Sequence, residues 1–189
     1  NEFNESLKYY KKSLSISVIN YGADNSADQI RVHFNIGTIY QKLNIVDKAT
    51  FHTKKSLAIG TKIFGSDHPQ MFYPYSQLGT IYGDEKGIPL IKKALAILLK
   101  SDPVNFVIVS FQYEYLADIY YKIENYSEAL KYLEKTLELR LQIFGERNIN
   151  TIRSYNNLAK AYAQLKEFEK ALVYCEKSIA SNKLDIASQ

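Results

Sequence analysis

Few side chains in this sequence are of a type that could do chemistry, and those few are scattered. The three histidines, His33, His52 and His68, are neither close together nor at metal-ligand spacing, and the single cysteine, Cys175, has no second thiol to pair with. Acidic pairs such as Glu167/Glu169 and Asp84/Glu85 alternate with lysines, as residues of solvated turns do. No phosphate loop, dinucleotide fingerprint or zincin helix is present. The sequence therefore assigns no catalytic, cofactor-binding or metal-binding residue, and the expectation is of a non-enzyme without cofactors. One pairing does have the chemistry of recognition. Arg31 with Asn35, and Arg153 with Asn157, repeat an arginine and an asparagine at i and i+4, one turn apart on a helix face. A guanidinium offers a fork of donors to a carboxylate, and an asparagine amide both donates to and accepts from a peptide backbone.

Placing those pairs requires helices, and the composition supplies them. The chain is 46% hydrophobic and 23% charged, with only 4 prolines and 8 glycines, which excludes disordered and collagen-like classes and favours helix nearly throughout. The net charge of +4 is interspersed. The doublets Lys11-Lys12, Lys54-Lys55 and Lys92-Lys93 recur at similar places and read as a solvated helix face, so no nucleic-acid partner is expected. No apolar run has the ~18 residues of a membrane helix and no signal pattern opens the chain, so the expected setting is soluble and cytoplasmic.

An internal repeat organises the whole sequence. Ile36-Gly37-Thr38-Ile39-Tyr40 returns at Leu78–Tyr82, Leu116–Tyr120 and Leu158–Tyr162, with starts 42, 38 and 42 residues apart. Nine residues after Tyr40, Tyr120 and Tyr162 come Ala49, Ala129 and Ala171, and eight further on come Leu57, Leu137 and Ile179. His33, Ile36, Gly37 and Tyr40 form one apolar stripe at helical period, and Tyr75, Tyr113 and Tyr155 open the same stripe in the later copies. The glycine or alanine lets a partner helix come close. Second helices such as 127–143 open on a polar cap and carry Leu130, Leu133, Leu137 and Leu141. Neither stripe is buried by one helix alone, so the hairpins must stack. His33 falls on a core stripe and is expected to be packed and hydrogen-bonded. Cys175 is expected to be a buried thiol facing the neighbouring helix.

The motif of a large apolar residue, Gly or Ala, then Tyr, followed by a small residue, resembles the tetratricopeptide repeat. The 42-residue period and the connector Ile63-Phe64-Gly65-Ser66-Asp67-His68-Pro69, echoed at Ile143–Asn148 and Ile19–Asp24, resemble its kinesin-light-chain class. The resemblance implies an all-α fold, an α-solenoid of stacked antiparallel helical hairpins wound as a right-handed superhelix. It divides the chain into a second helix of a truncated repeat at 1–22 and repeats at 29–65, 71–102, 106–145 and 149–182 of a single solenoid. Opening in mid-repeat without a methionine, the chain is expected to be an excerpt of a longer protein. The repeat at 71–102 is four residues short between Tyr82 and Leu95, with Gly83, Gly87 and Pro89 in the gap; it reads as a deletion taken up by a turn, with Pro89 in the first turn of the next helix.

In such solenoids the first helices line the concave surface. Helix geometry then turns Arg31, Phe34, Asn35 and Thr38 away from the core, followed by Tyr73 and Gln77 (with Ser76 and Thr80), by Phe111, Glu114, Tyr115 and Asp118, and by Arg153, Asn156, Asn157 and Lys160. Phe34, Tyr73, Phe111 and Tyr115 put aromatic area on a face that should be wet, a mark of recognition surfaces. The resulting expectation is an interaction scaffold or adaptor that binds an extended peptide, acidic with aromatic anchors. Glu114 and Asp118 leave room for a ligand with a basic centre. The alternatives are a sensor or autoinhibitory array of a larger signalling or catalytic protein, and an assembly module that self-associates through exposed solenoid ends.

Overall fold

The computed structural model describes residues 2–186, which fold into nine α-helices and one short 3-10 helix with no strand among them. The chain divides into two compact units, 1–100 and 101–189.

In the first unit, α1 (Glu2–Tyr21) packs on α2 (Ala27–Lys42), which forms a hairpin with α3 (Val46–Phe64). A 3-10 turn, Pro69–Met71, leads into α4 (Phe72–Tyr82), paired with α5 (Gly87–Leu99) and packed on α3. The second unit holds two hairpins, α6 (Phe106–Lys122) with α7 (Tyr126–Phe144) and α8 (Ile149–Gln164) with α9 (Phe168–Ile186), joined by α7 packing on α8.

The starts and stops follow from local chemistry. Ser26, Asn105, Asn125 and Asn148 cap α2, α6, α7 and α8 by accepting a backbone N–H of the first turn. For α7 the cap is thus Asn125 and the helix begins at Tyr126, slightly outside the span read from the sequence. Three hairpins share one turn: Asn44, Glu124 and Lys166 stand in the left-handed region, and the next residue donates its N–H to the carbonyl of Tyr40, Tyr120 or Tyr162 at 2.8, 2.9 and 3.0 Å. The α4–α5 hairpin replaces that turn. Gly83 enters the left-handed region directly after Tyr82, and α5 starts at Gly87, which trims the end of one helix and the beginning of the next; Pro89 lies in the first turn of α5.

The stripes read from the sequence are the core. Ile36, Leu116 and Leu158 are fully buried, and Tyr40, Tyr120 and Tyr162 are buried and stack on His52, Tyr132 and Tyr174 at 5.6–5.7 Å between ring centres. Close helix approach is real: a Cβ added at Gly79 would stand 2.6 Å from the Ile91 side chain and 3.0 Å from the carbonyl of Gly87. His33 is buried and shares a 2.9 Å Nδ1···Nδ1 hydrogen bond with His52. Cys175 departs from expectation. Its counterparts Thr53, Ile91 and Leu133 are buried against the following hairpin or the neighbouring helix, but α9 packs chiefly on α8 and the thiol is exposed.

Candidate functional site

Each unit carries its own outward face on its first helices. In the first unit a cleft of about 350 Å3 opens between α2, the 3-10 turn and α4. Ile30 and Pro74 make an apolar floor, Phe34 and Tyr73 meet edge to face at 5.7 Å between ring centres, and Arg31, Asn35 and Gln70 stand among the lining residues. Most of the Arg31 side chain is in solvent, with one contact to Asp28 at 3.3 Å across two exposed groups, which such pairs stabilise by only ~0–1 kcal/mol. Thr38 is half-buried and donates to the Phe34 carbonyl.

Gln77 does not stand free on this face. It is buried, donating to Thr38 Oγ1 at 2.7 Å and to the Phe34 carbonyl at 3.3 Å while accepting from Thr53 Oγ1 at 2.8 Å. Ser76 is buried as well, and Gln41 donates to Thr80 Oγ1 at 3.1 Å. The helical angle of Gln77 is as read, but the space it points into is the α2–α3 hairpin.

In the second unit Glu114 is the larger correction. Its carboxylate is buried in a two-armed ion pair with Arg140 of α7, at 3.0 and 2.6 Å. The guanidinium is wholly buried, donates also to Ser154 Oγ and the Asn150 carbonyl, and lies 5.3 Å from the ring centre of Phe111. Arg140 escaped the sequence reading because an arginine in a leucine-rich helix reads as solvated. The available signal was positional: Ser17, Gly60 and Leu98 hold the equivalent place in α1, α3 and α5, none of them charged and all buried, and only in α9 is it an exposed residue, Asn182.

What remains on the face of the second unit is polar. Arg153, Asn156 and Lys160 are exposed, Asn157 and Tyr115 half-buried. Asp118 keeps solvent access, yet partial desolvation and then the Glu114 carboxylate push it above the ordinary carboxylate range. Burial, with Glu114 and Asp118 nearby, likewise raises the Tyr115 phenol. A pocket of about 160 Å3 lies among Ala117, Asp118, Tyr121, Leu133, Asn157 and Lys160. Phe111 is half-buried over Arg140, not freely presented.

Among the described residues no group of three or more His, Cys, Asp or Glu side chains is placed to hold a metal ion, and no helix is long and apolar enough to cross a membrane. The lysine doublets stand on the second helices, where Lys55 pairs with Asp24 at 2.7 Å and Lys93 with Asp67 at 2.5 Å.

Comparison with known proteins agrees with this geometry. A family model described as tetratricopeptide repeat matches residues 110–183. No curated protein matches the sequence. Among solved structures, the nearly identical TPR-like repeats assigned to a kinesin light chain of Podosopora anserina superpose with a TM-score of 0.79 at 18% identity, over 95% of this chain and 86% of that one. BtubC (BKLC) from P. vanneervenii gives 0.72 at 21% identity, over 96% and 71% of the two chains. The signal-transduction ATPase with a tetratricopeptide repeat sensor from Pyrococcus horikoshii gives 0.70 at 22% identity; 91% of this chain is covered but only 26% of that protein. These likenesses establish the fold, a helical-repeat solenoid of a kind that generally mediates protein–protein interaction.

Proposed function

We propose that the chain is a tetratricopeptide-repeat protein and a non-catalytic adaptor whose first helices capture an extended segment of a partner protein. The observation that carries this reading is the unit 1 cleft, where Phe34 and Tyr73 give apolar walls beside an Arg31 guanidinium that is largely in solvent. An aromatic or aliphatic side chain with a neighbouring carboxylate suits that combination, since the apolar group is desolvated against the paired aromatics while the acid meets a planar donor fork. On the face of the second unit, Arg153 and Asn157 offer the same donor types, with Asn156 and Lys160 beside them, and they suit an extended backbone and its acidic side chains. The burial of Glu114 against Arg140 removes one of the two acids that favoured a basic ligand, which leaves the acidic, aromatic segment as the better fit.

The test is affinity capture with the intact protein. Replacing Arg153 and Asn157 together by alanine is expected to lose the captured partner with an unchanged melting curve, and Arg31→Ala with Tyr73→Ala to weaken it independently. Capture that survives both pairs of substitutions sinks the reading.

A second reading, self-association, is favoured by α9. Phe168, Leu172, Cys175 and Ile179 form an exposed stripe at helical spacing, with Phe168 67% and Leu172 60% in solvent. In α7 the equivalent Leu133 and Leu137 are buried against α8. Light scattering across a concentration series checks it: mass rising with concentration supports assembly, and a constant monomer mass removes it.

A further inference from the structure

The pocket on the face of the second unit has a filled counterpart in the first. Counting from Ile36 and Leu116, and from Leu57 and Leu137, the six lining residues Ala117, Asp118, Tyr121, Leu133, Asn157 and Lys160 occupy the repeat positions of Gly37, Thr38, Gln41, Thr53, Gln77 and Thr80. In the first unit that space holds a carboxamide. The Gln77 head group lies between Thr38 and Thr53, donating to one hydroxyl and accepting from the other, and a second amide, Gln41, donates to Thr80. Its polar atoms are satisfied from within the chain.

In the second unit three changes empty the same space. Asn157 is one methylene shorter than Gln77, Leu133 has no hydroxyl where Thr53 has one, and Tyr121 replaces the amide of Gln41. The result is the 160 Å3 pocket, about five times the ~30 Å3 that one water occupies in the liquid. Among the described residues, Asp118, Asn157 and Lys160 make no hydrogen bond or ion pair. Partial desolvation already holds Asp118 above the ordinary carboxylate range. Sites built for hydrogen bonding reject ligands that leave their polar groups unpaired.

We infer that this pocket binds the neutral carboxamide of a glutamine-type side chain on the partner segment, supplied from outside where Gln77 supplies it from within. The amide N–H groups donate to the Asp118 carboxylate, at the place of Thr38 Oγ1. The amide oxygen accepts from Asn157 Nδ2 or Lys160 Nζ, and the methylene stem lies against Ala117, Leu133 and Tyr121. The charges select the class: a carboxylate in the same place meets Asp118 and an ammonium meets Lys160, whereas an amide presents a donor to the first and an acceptor to the second. The inference rests on reading the α6 and α8 faces as a recognition surface.

The experiment is a two-dimensional amide NMR titration of the whole chain with N-acetyl-glutamine methylamide, alongside the glutamate and norvaline analogues. The expected result is a preference of about tenfold or more for glutamine, with shifts confined to the neighbourhood of Asp118, Asn157 and Lys160. Asn157→Gln, which restores the length of Gln77 and fills the pocket from within, should abolish those shifts, and Asp118→Ala should erase the preference for glutamine over norvaline. Equal binding of the three analogues, absence of binding, or undiminished glutamine binding by Asn157→Gln overturns the inference. Partner capture by Arg153→Ala separates the two levels. Capture that is lost in Arg153→Ala while the three analogues bind alike keeps the face and discards the carboxamide. Capture unaffected by Arg153→Ala discards the face whatever the titration shows.

Discussion

The junction of α3 with α4 and that of α7 with α8 are made by the same repeat motif and solved with opposite chemistry. The first is neutral. Gln77 reaches back to Thr38, Thr53 and the Phe34 carbonyl, so a single amide ties α4 to both helices of the preceding hairpin. The second is ionic. Arg140 ties Glu114 on α6 to Ser154 and Asn150 on α8, with the ring of Phe111 against the guanidinium. A neutral amide is cheap to bury but occupies the outward face. A guanidinium placed deeper, on the second helix, leaves the outward positions open, and those are the positions of the empty pocket. One stacking geometry is therefore compatible with either a closed or a receptive face.

Breaking the ionic junction should have the largest effect. Arg140→Ala or Glu114→Ala strands a buried charge, and unfolding in denaturant should show a loss of about 3–5 kcal/mol. The paired change Arg140→Met with Glu114→Leu should recover most of that loss, because two apolar groups of similar size need no partner. Next comes Gly79→Ala, whose methyl must displace Ile91 and the Gly87 carbonyl; overpacking of this kind costs about 1–3 kcal/mol, readable as a lower midpoint. Gln77→Ala leaves the Thr38 and Thr53 hydroxyls short of a partner and should cost about 1–3 kcal/mol, without the recovery open to the ionic pair.

The smallest effect is that of pH on the imidazoles, all three of which lie in the first unit. Burial holds both His33 and His52 below the usual imidazole value, His52 at about 4, where His33 and Lys11 add to the shift. Unfolded imidazoles titrate near ~6.5, so below that pH the unfolded chain takes up protons that the folded chain refuses. The contribution is therefore complete above about pH 6.5 and is lost as the pH falls towards about 4. Melting temperatures across that window should fall for the wild type and fall less steeply for His52→Gln, which keeps a hydrogen-bonding partner for His33.

Much of the fold was legible because its determinants are local and periodic. Tyr40, Tyr120 and Tyr162 stand at a fixed distance from the small residues Ala49, Ala129 and Ala171, and steric closeness at those points has one helical solution. The outward face was legible only in part. A helical wheel gives the angle at which Gln77 and Glu114 leave the backbone, but not the lateral neighbour that covers them. Glu114 is covered by an arginine 26 residues away whose burial no local pattern announces. Cys175 failed for the converse reason: its position in the repeat predicts a covering helix, and α9 has none against that side among the described elements.

An adaptor of this kind must meet its partner on the first-helix faces. Placing a photo-crosslinking amino acid at Tyr73 and at Asn156, with Phe51 and Glu138 on the second helices as controls, tests this directly in the intact protein. The same partner protein crosslinked from Tyr73 and Asn156 but not from Phe51 or Glu138 is the predicted result. Crosslinking from Phe51 or Glu138 with none from the other two would contradict it.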